Sequence, residues 1–274
     1  MGAKERWTTP GPSVELAHLT ALDLDPVRFA SLAAQAGFDS VSLRLAPVAP
    51  GAQHYALPAR SAALKEARTA IVDLGVTVTG IEIVSLSPDL DVASVEPLLE
   101  TGAELGASGL CVTGDDREST RIADTFGRLC ALAAGYGINV DLEFMRWRPV
   151  AELGDAASVV TAAGAANGFV LLDVLHLCRS GGTAADIAAT DSRLFRAVQI
   201  SDAHAEIPSH LDVISEARGG RLPVGDGALP LSAIVAALPP HVIYSAELPT
   251  TSAPADVLVR SRRAIADLLL ANLR

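Results

Sequence analysis

Ile138-Asn139-Val140-Asp141-Leu142-Glu143-Phe144, an alanine-rich stretch over 151–163, and then Phe169-Val170-Leu171-Leu172-Asp173 form the segment that decides the fold. Two short apolar runs carrying β-branched residues enclose a longer stretch of helical composition, the pattern of a strand, a crossover helix and a parallel strand. Outward from this unit the pattern recurs. Strands are expected at 14–19, 40–45, 76–84, 109–113, 138–144, 169–173, 195–201 and 242–247. Helices are expected at 26–36, 59–74, 92–105, 117–134, 151–163 and 184–189, with shorter pieces after strand seven. Gly37, Gly75 and Gly106 each follow a helical run and open the approach to a strand, as a left-handed helix cap does. Asp25-Pro26 and Pro149 read as helix starts, because proline at the first helical position loses no intrahelical bond. Pro88 and Pro97 make the third crossover irregular.

Strands buried on both faces read as continuous apolar runs, and eight β/α units on one period close into a parallel barrel. The fold class is therefore α/β, a (β/α)8 TIM barrel with its site at the C-terminal ends of the strands. The 274 residues suit one such barrel, which takes roughly 200 to 250 residues, and no linker composition divides the chain. The expected organisation is one domain over 1–274, with 1–12 as a flexible N-terminal tail.

Composition excludes several classes. Half the residues are hydrophobic and 19% are charged, which supports a large core and not a disordered chain. The formal net charge of -11 opposes a phosphate backbone, so no nucleic-acid partner is expected. Cys111, Cys130 and Cys178 form no CxxC pair, which argues against a disulfide framework or thiolate zinc and fits a cytoplasmic protein. No signal-peptide pattern opens the sequence and no run is long enough for a membrane span. Only Lys4 and Lys65 are lysines, which leaves a Schiff-base barrel without a candidate. GxGxxG, GxxxxGK[ST] and GxSxG are all absent.

Four consecutive strands end in polar groups: Leu142-Glu143, Leu172-Asp173, Val198-Gln199 and Ala246-Glu247. One acidic residue at a strand end is commonly a loop cap, but carboxylates converging above a barrel axis repel one another unless a cation neutralises them. A divalent metal held by Glu143, Asp173, Gln199 and Glu247 is the expected solution. All-oxygen ligation favours Mn²⁺ or Mg²⁺, admits Co²⁺, and ranks Zn²⁺ lower. His176, three residues past Asp173, is positioned for metal, substrate or proton transfer. Candidate substrate contacts are His18, Arg44, Arg146, His176, Asp202 and Arg221, with Asp202 also able to orient a neighbouring ligand. Arg148 and Arg218 are further guanidiniums at the expected mouth. His54 and Tyr55 lie in a long loop that would cover it, and Trp147 would wall it.

Taken in order, Leu142-Glu143-Phe144-Met145, Leu172-Asp173-Val174-Leu175-His176, Val198-Gln199-Ile200-Ser201-Asp202, Gly219-Gly220-Arg221-Leu222-Pro223-Val224-Gly225-Asp226-Gly227 and Ala246-Glu247-Leu248-Pro249 resemble the xylose-isomerase-like barrels. These are grouped as sugar phosphate isomerases/epimerases, with ketose 3-epimerases, hydroxypyruvate isomerase, inosose dehydratase and 3-dehydroshikimate dehydratase among the relatives. The resemblance implies that Glu143, Asp173 and Glu247 bind the metal and that His176 touches metal or substrate. Gln199 departs from the histidine of the ketose epimerases. Glutamine at that position resembles hydroxypyruvate isomerase-like members and some dehydroshikimate dehydratases.

The expected function is a divalent-metal-dependent isomerase or epimerase of a small sugar or hydroxy-carbonyl compound, working by α-proton abstraction through an enediolate. Glu143 and Glu247 would be ligands and proton carriers, with His176 the third catalytic candidate. The alternatives are a lyase that dehydrates a cyclic ketone and a barrel that binds a polyol without turnover. The expected partner is a small sugar, polyol or keto acid, with neither nucleic acid nor membrane. An apolar face on an outer helix over 257–270 would support a homodimer or homotetramer.

Overall fold

The computed structural model describes residues 12–49, 51–249 and 255–272; apart from Pro12, the expected N-terminal tail lies outside the described residues. Eight strands close into a parallel barrel in sequence order, with β1 pairing β8. They are β1 Val14–Ala17, β2 Ser40–Arg44, β3 Thr77–Leu86, β4 Gly109–Gly114, β5 Asn139–Glu143, β6 Gly168–Asp173, β7 Phe195–Ile200 and β8 Ile243–Ala246. The helices are α1 Pro26–Ala36, α2 Ala62–Asp73, α3 Glu96–Leu105, α4 Ser119–Ala134, α5 Leu153–Ala163, α6 Val174–Arg179, α7 Ala184–Ala189, α8 Val213–Gly219, α9 Leu231–Ala237 and α10 Ala255–Asn272. Every expected strand is present, and α1 and α7 have the expected bounds.

The local chemistry explains the boundaries. Asp25 caps α1 by accepting hydrogen bonds from the Val27 and Arg28 amides at 3.1 and 3.0 Å. Gly37 ends the helix at φ 83°, where a side chain would be strained. The third crossover is irregular as expected: a 3-10 turn at Val92–Val95 leads into α3, with Pro97 in its first turn. Pro149 is a correction. It sits in the turn before α5, which starts at Leu153 through a reciprocal capping box between Glu152 and Asp155.

The core between barrel and helices is apolar, with Phe29, Phe126, Phe144 and Phe195 fully buried. Inside the barrel the lining is more polar than the branched aliphatic layers usual for this fold. Near its floor, Asp141 pairs with Arg196, and the Thr79 hydroxyl donates to Glu15. On the outside, α10 turns Leu258, Ile265 and Leu269 into the core and leaves Val259 and Leu270 exposed, so most of its apolar face is covered by its own barrel. Among the described residues no helix is long and apolar enough to cross a membrane.

Strand register sets which side chains meet inside. Arg44 is level with Glu82 and Glu82 with Cys111 on one side; Asp173 is level with Gln199 and Gln199 with Ser245 on the other. Adjacent residues at one level share a face of the sheet. Two polar groups therefore face each other across the C-terminal mouth.

Candidate active site

The mouth opens on a cavity of about 480 Å³ lined in part by Arg44, Glu82, Cys111, Glu143, Trp147, His176, Gln199, Arg221 and Glu247. A larger groove of about 800 Å³ lies between α4 and α5 on the outer ring, away from the strand-end carboxylates. Glu143 ends β5 and Asp173 ends β6. Asp173 also caps α6, accepting from the His176 amide at 3.0 Å. This short helix was not expected from the sequence. It carries His176 over the mouth, so that its Nε2 lies 3.5 Å from Oε1 of Glu143.

Glu143, Asp173 and His176 each offer a ligand atom within 4.8 Å of the others. Gln199 and Glu247 adjoin them: the Gln199 amide nitrogen donates to Glu247 at 3.0 Å. Arg221, buried, reaches Asp173 at 2.6 Å and Glu247 at 2.8 Å. The structure thus brings all four expected metal ligands, His176 and Arg221 into one cluster.

The electrostatics of this cluster are unbalanced. Burial pushes Glu143 well above the usual carboxylate range, with Glu247 and Asp173 adding to the rise. Glu247 is pushed up to about 8, chiefly by burial, against which Arg221 pulls down. Burial would also raise Asp173, but the Arg221 charge and the neighbouring His176 hold it below the ordinary value. Burial lowers His176 to about 4, which leaves its imidazole neutral near pH 7.

The residues present fit a divalent cation. Were Glu143, Asp173 and Glu247 all ionised, three buried carboxylates would face one buried guanidinium, Arg221, and the excess of two negative charges is what a divalent ion would offset. Among the described residues, Oε1 of Gln199 is buried without a hydrogen-bond partner, an orphaned acceptor beside these carboxyls. A neutral imidazole adds a nitrogen donor, which widens the expected all-oxygen set. Glu143, Asp173 and His176 are the groups close enough together to hold the ion, with Gln199 and Glu247 beside them.

A pH effect follows for chelator-treated protein. Glu143 and Glu247 hold protons in the folded state that the unfolded chain releases near its ordinary value of 4.5. Their contribution to stability is present below that value and is lost as pH rises through their raised values, for Glu247 about 8. The melting temperature of metal-free protein should fall by several degrees between pH 5 and pH 8.5, and scanning calorimetry at both values checks this. Added metal should remove most of the fall.

Other expected contacts are placed differently. His18 begins a 3-10 turn, fully buried, stacked between Phe29 and Tyr55. Its Nδ1 accepts from the Arg44 amide at 3.1 Å and its Nε2 donates to the Leu24 carbonyl at 2.9 Å, which leaves no ring nitrogen for a substrate. Arg146 is exposed outside the mouth and donates to the Arg179 carbonyl at 3.2 Å; Arg148 lines the cavity instead. Asp202 accepts from the amides of Ala203, Gly225 and Leu229, so it fastens the loop that carries Arg221 and does not line the cavity.

Arg44 lines the mouth as expected, but paired with Glu82. Glu82 was missed because it falls inside the expected strand over 76–84 and not at a strand end; β3 runs on to Leu86. The signal was a lone carboxylate between Ile81 and Ile83. The loop after β2 lines the mouth through Val48, Ala49, Gly51, Ala52 and Gln53; Tyr55 turns inward to His18 and donates to the Leu22 carbonyl.

Eight parallel strands closed in sequence order, with helices between them, define a (β/α)8 TIM barrel. Residues 30–268 match the xylose isomerase-like TIM barrel family, and the chain belongs to that family. No curated protein sequence matches it. Among solved structures it is similar to a "xylose isomerase-like TIM barrel/4-hydroxyphenylpyruvate dioxygenase fusion protein", at 18% identity and TM-score 0.79. That match covers 96% of this chain but only 43% of the fusion protein. It is also similar to the "probable 3-DHS dehydratase AsbF" of Bacillus anthracis, at 14% identity, TM-score 0.75 and coverage of 92% and 98% of the two chains. An L-ribulose 3-epimerase matches at 16% identity and TM-score 0.72, with 96% of each chain covered. Identities this low establish a shared fold.

Proposed function

We propose that this protein is a divalent-metal-dependent isomerase or epimerase of a small sugar or hydroxy-carbonyl compound, acting by abstraction of a proton α to the carbonyl. The observation that carries the reading is the pair of buried carboxyls, Glu143 and Glu247, that line one cavity together with Arg221, which also pairs with buried Asp173. A bound divalent ion would supply Lewis-acid polarisation of the substrate carbonyl.

The chain's own groups do the rest. Glu143 and Glu247 are raised by burial toward the range where a carboxylate both takes and returns a proton near neutral pH. Arg221 and the Gln199 amide hold Glu247 from two sides, which fixes the direction of its carboxyl. His176 is neutral and packed edge-on against Trp147 at 5.0 Å between ring centroids, placing its imidazole beside Glu143. Returning the proton to the adjacent carbon would give isomerisation, and to the opposite face epimerisation.

Gln199 favours a second reading, a lyase in which the same α-proton loss expels a β-hydroxyl from a cyclic ketone. The dehydratase among the structural neighbours is consistent with it. The test is metal-reconstituted protein in deuterated water with ketoses, hydroxypyruvate, inososes and 3-dehydroshikimate, followed by NMR. Deuterium in recovered substrate or isomer is the expected result, while loss of water selects the lyase. No exchange and no conversion with any of them would count against both.

A further inference from the structure

The wall of the cavity opposite the acidic cluster has a charge arrangement of its own. Glu82, buried on β3, accepts from the Ser42 hydroxyl at 2.6 Å through Oε1. Its Oε2 accepts from Arg44 twice, from Nε at 3.0 Å and from Nη2 at 2.9 Å. The Arg44 backbone is anchored as well, because its amide donates to the buried His18 ring. Nη1 of Arg44 makes no hydrogen bond among the described residues, and Arg44 and Glu82 both line the cavity. The wall therefore presents an immobilised donor next to an immobilised acceptor, with no net charge.

We propose that Glu82 is a specificity-determining residue: by neutralising Arg44 it closes this wall to anions, so the end of the substrate that meets it is an uncharged oxygen and not a phosphate or carboxylate. The proposal rests on the reading of this cavity as the substrate site. A hydroxyl both donates and accepts, and so complements adjacent Arg44 and Glu82 groups. A phosphate or carboxylate offers acceptors only and would bring its charge against buried Glu82, whose own neutralisation comes from Arg44. The remaining guanidiniums at the mouth offer no substitute inside the cavity. Arg221 is engaged by Asp173 and Glu247, and Arg148 by Asp115. Arg218 is exposed, and among the described residues it has no ion-pair partner. An anion could meet Arg218 only at the rim.

The test uses selenate, a tetrahedral dianion located by its anomalous scattering, soaked into crystals of the metal-loaded protein and of its Glu82→Gln variant. In the parent, no selenate should sit on Arg44. In Glu82→Gln, whose side chain keeps the shape but not the charge, selenate should occupy a position on Arg44. Selenate on Arg44 in the parent overturns the proposal, and so does an empty Arg44 in a folded Glu82→Gln. Should the variant not fold, the parent soak alone still decides. Because position is read and not turnover, the result is independent of whether the protein proves to be an isomerase, and selenate at the acidic cluster or at Arg218 is distinguished by its place.

Discussion

Replacing Glu247 with Gln should lower turnover by roughly 10²- to 10⁴-fold, the range general acid–base catalysis contributes, while leaving the barrel folded. Burial already pushes the Glu247 carboxyl up to about 8, so the metal-free folded state holds it largely protonated at pH 7. An amide copies the protonated form in size and polarity. Its oxygen can still accept from Arg221 or Gln199, the two groups that hold Glu247 now. Metal-free Glu247→Gln should therefore melt no lower than the parent at pH 8, where the parent is forced to ionise a buried carboxyl. A large loss of activity with retained or higher stability separates a proton-carrying role from a packing role. Glu143→Gln should behave similarly, since burial and the same neighbours raise Glu143 still more clearly. Steady-state kinetics and thermal melts of both variants check the expectation.

Asp173→Asn should have the largest effect on metal binding, at least a hundredfold loss of affinity, measured by competition against a chelator. Asp173 is the one carboxylate of the three held below its ordinary range, by Arg221 and His176, so it stays charged when the others take protons. Asparagine can still cap α6 through its side-chain oxygen. The charge is what it removes. Breaking a buried ion pair costs about 3–5 kcal/mol when the remaining charge is left uncompensated. Losing the Asp173 charge removes one of the influences that raise Glu247, so Glu247 ionises more readily against Arg221 and the destabilisation should fall below that range. Melts of metal-free protein should show a modest decrease and metal titration a much larger one.

The barrel was legible because a parallel strand covered on both faces has no alternative but a continuous apolar run, and eight of these recur between helical stretches. The strand-end carboxylates were legible for the same reason: Glu143, Asp173 and Glu247 interrupt those runs where the fold places chemistry. The direction in which a side chain leaves a strand end was not legible. His18 stands one residue beyond β1, and a turn rotates it into the core, where backbone groups saturate both nitrogens. Arg146 and Arg148 differ by two positions in one turn, yet only Arg148 lines the mouth. Asp202 follows β7 closely, but the amides of Ala203, Gly225 and Leu229 converge on it. Glu82 escaped notice because it lies inside its strand and not at the end, where the other polar groups stand. Its pairing with Arg44 depends on strand register, which one sequence does not display.

The central claim is that the carboxylates at the mouth form a divalent-metal site. Metal analysis of the protein purified without chelator, set beside the Glu143→Gln and Asp173→Asn variants prepared identically, tests it most directly. About one divalent ion per chain in the parent, sharply reduced in both variants, is the expected result. No divalent metal in the parent after equilibration with Mn²⁺, Mg²⁺, Co²⁺ and Zn²⁺ in turn, or equal metal in parent and variants, would contradict it.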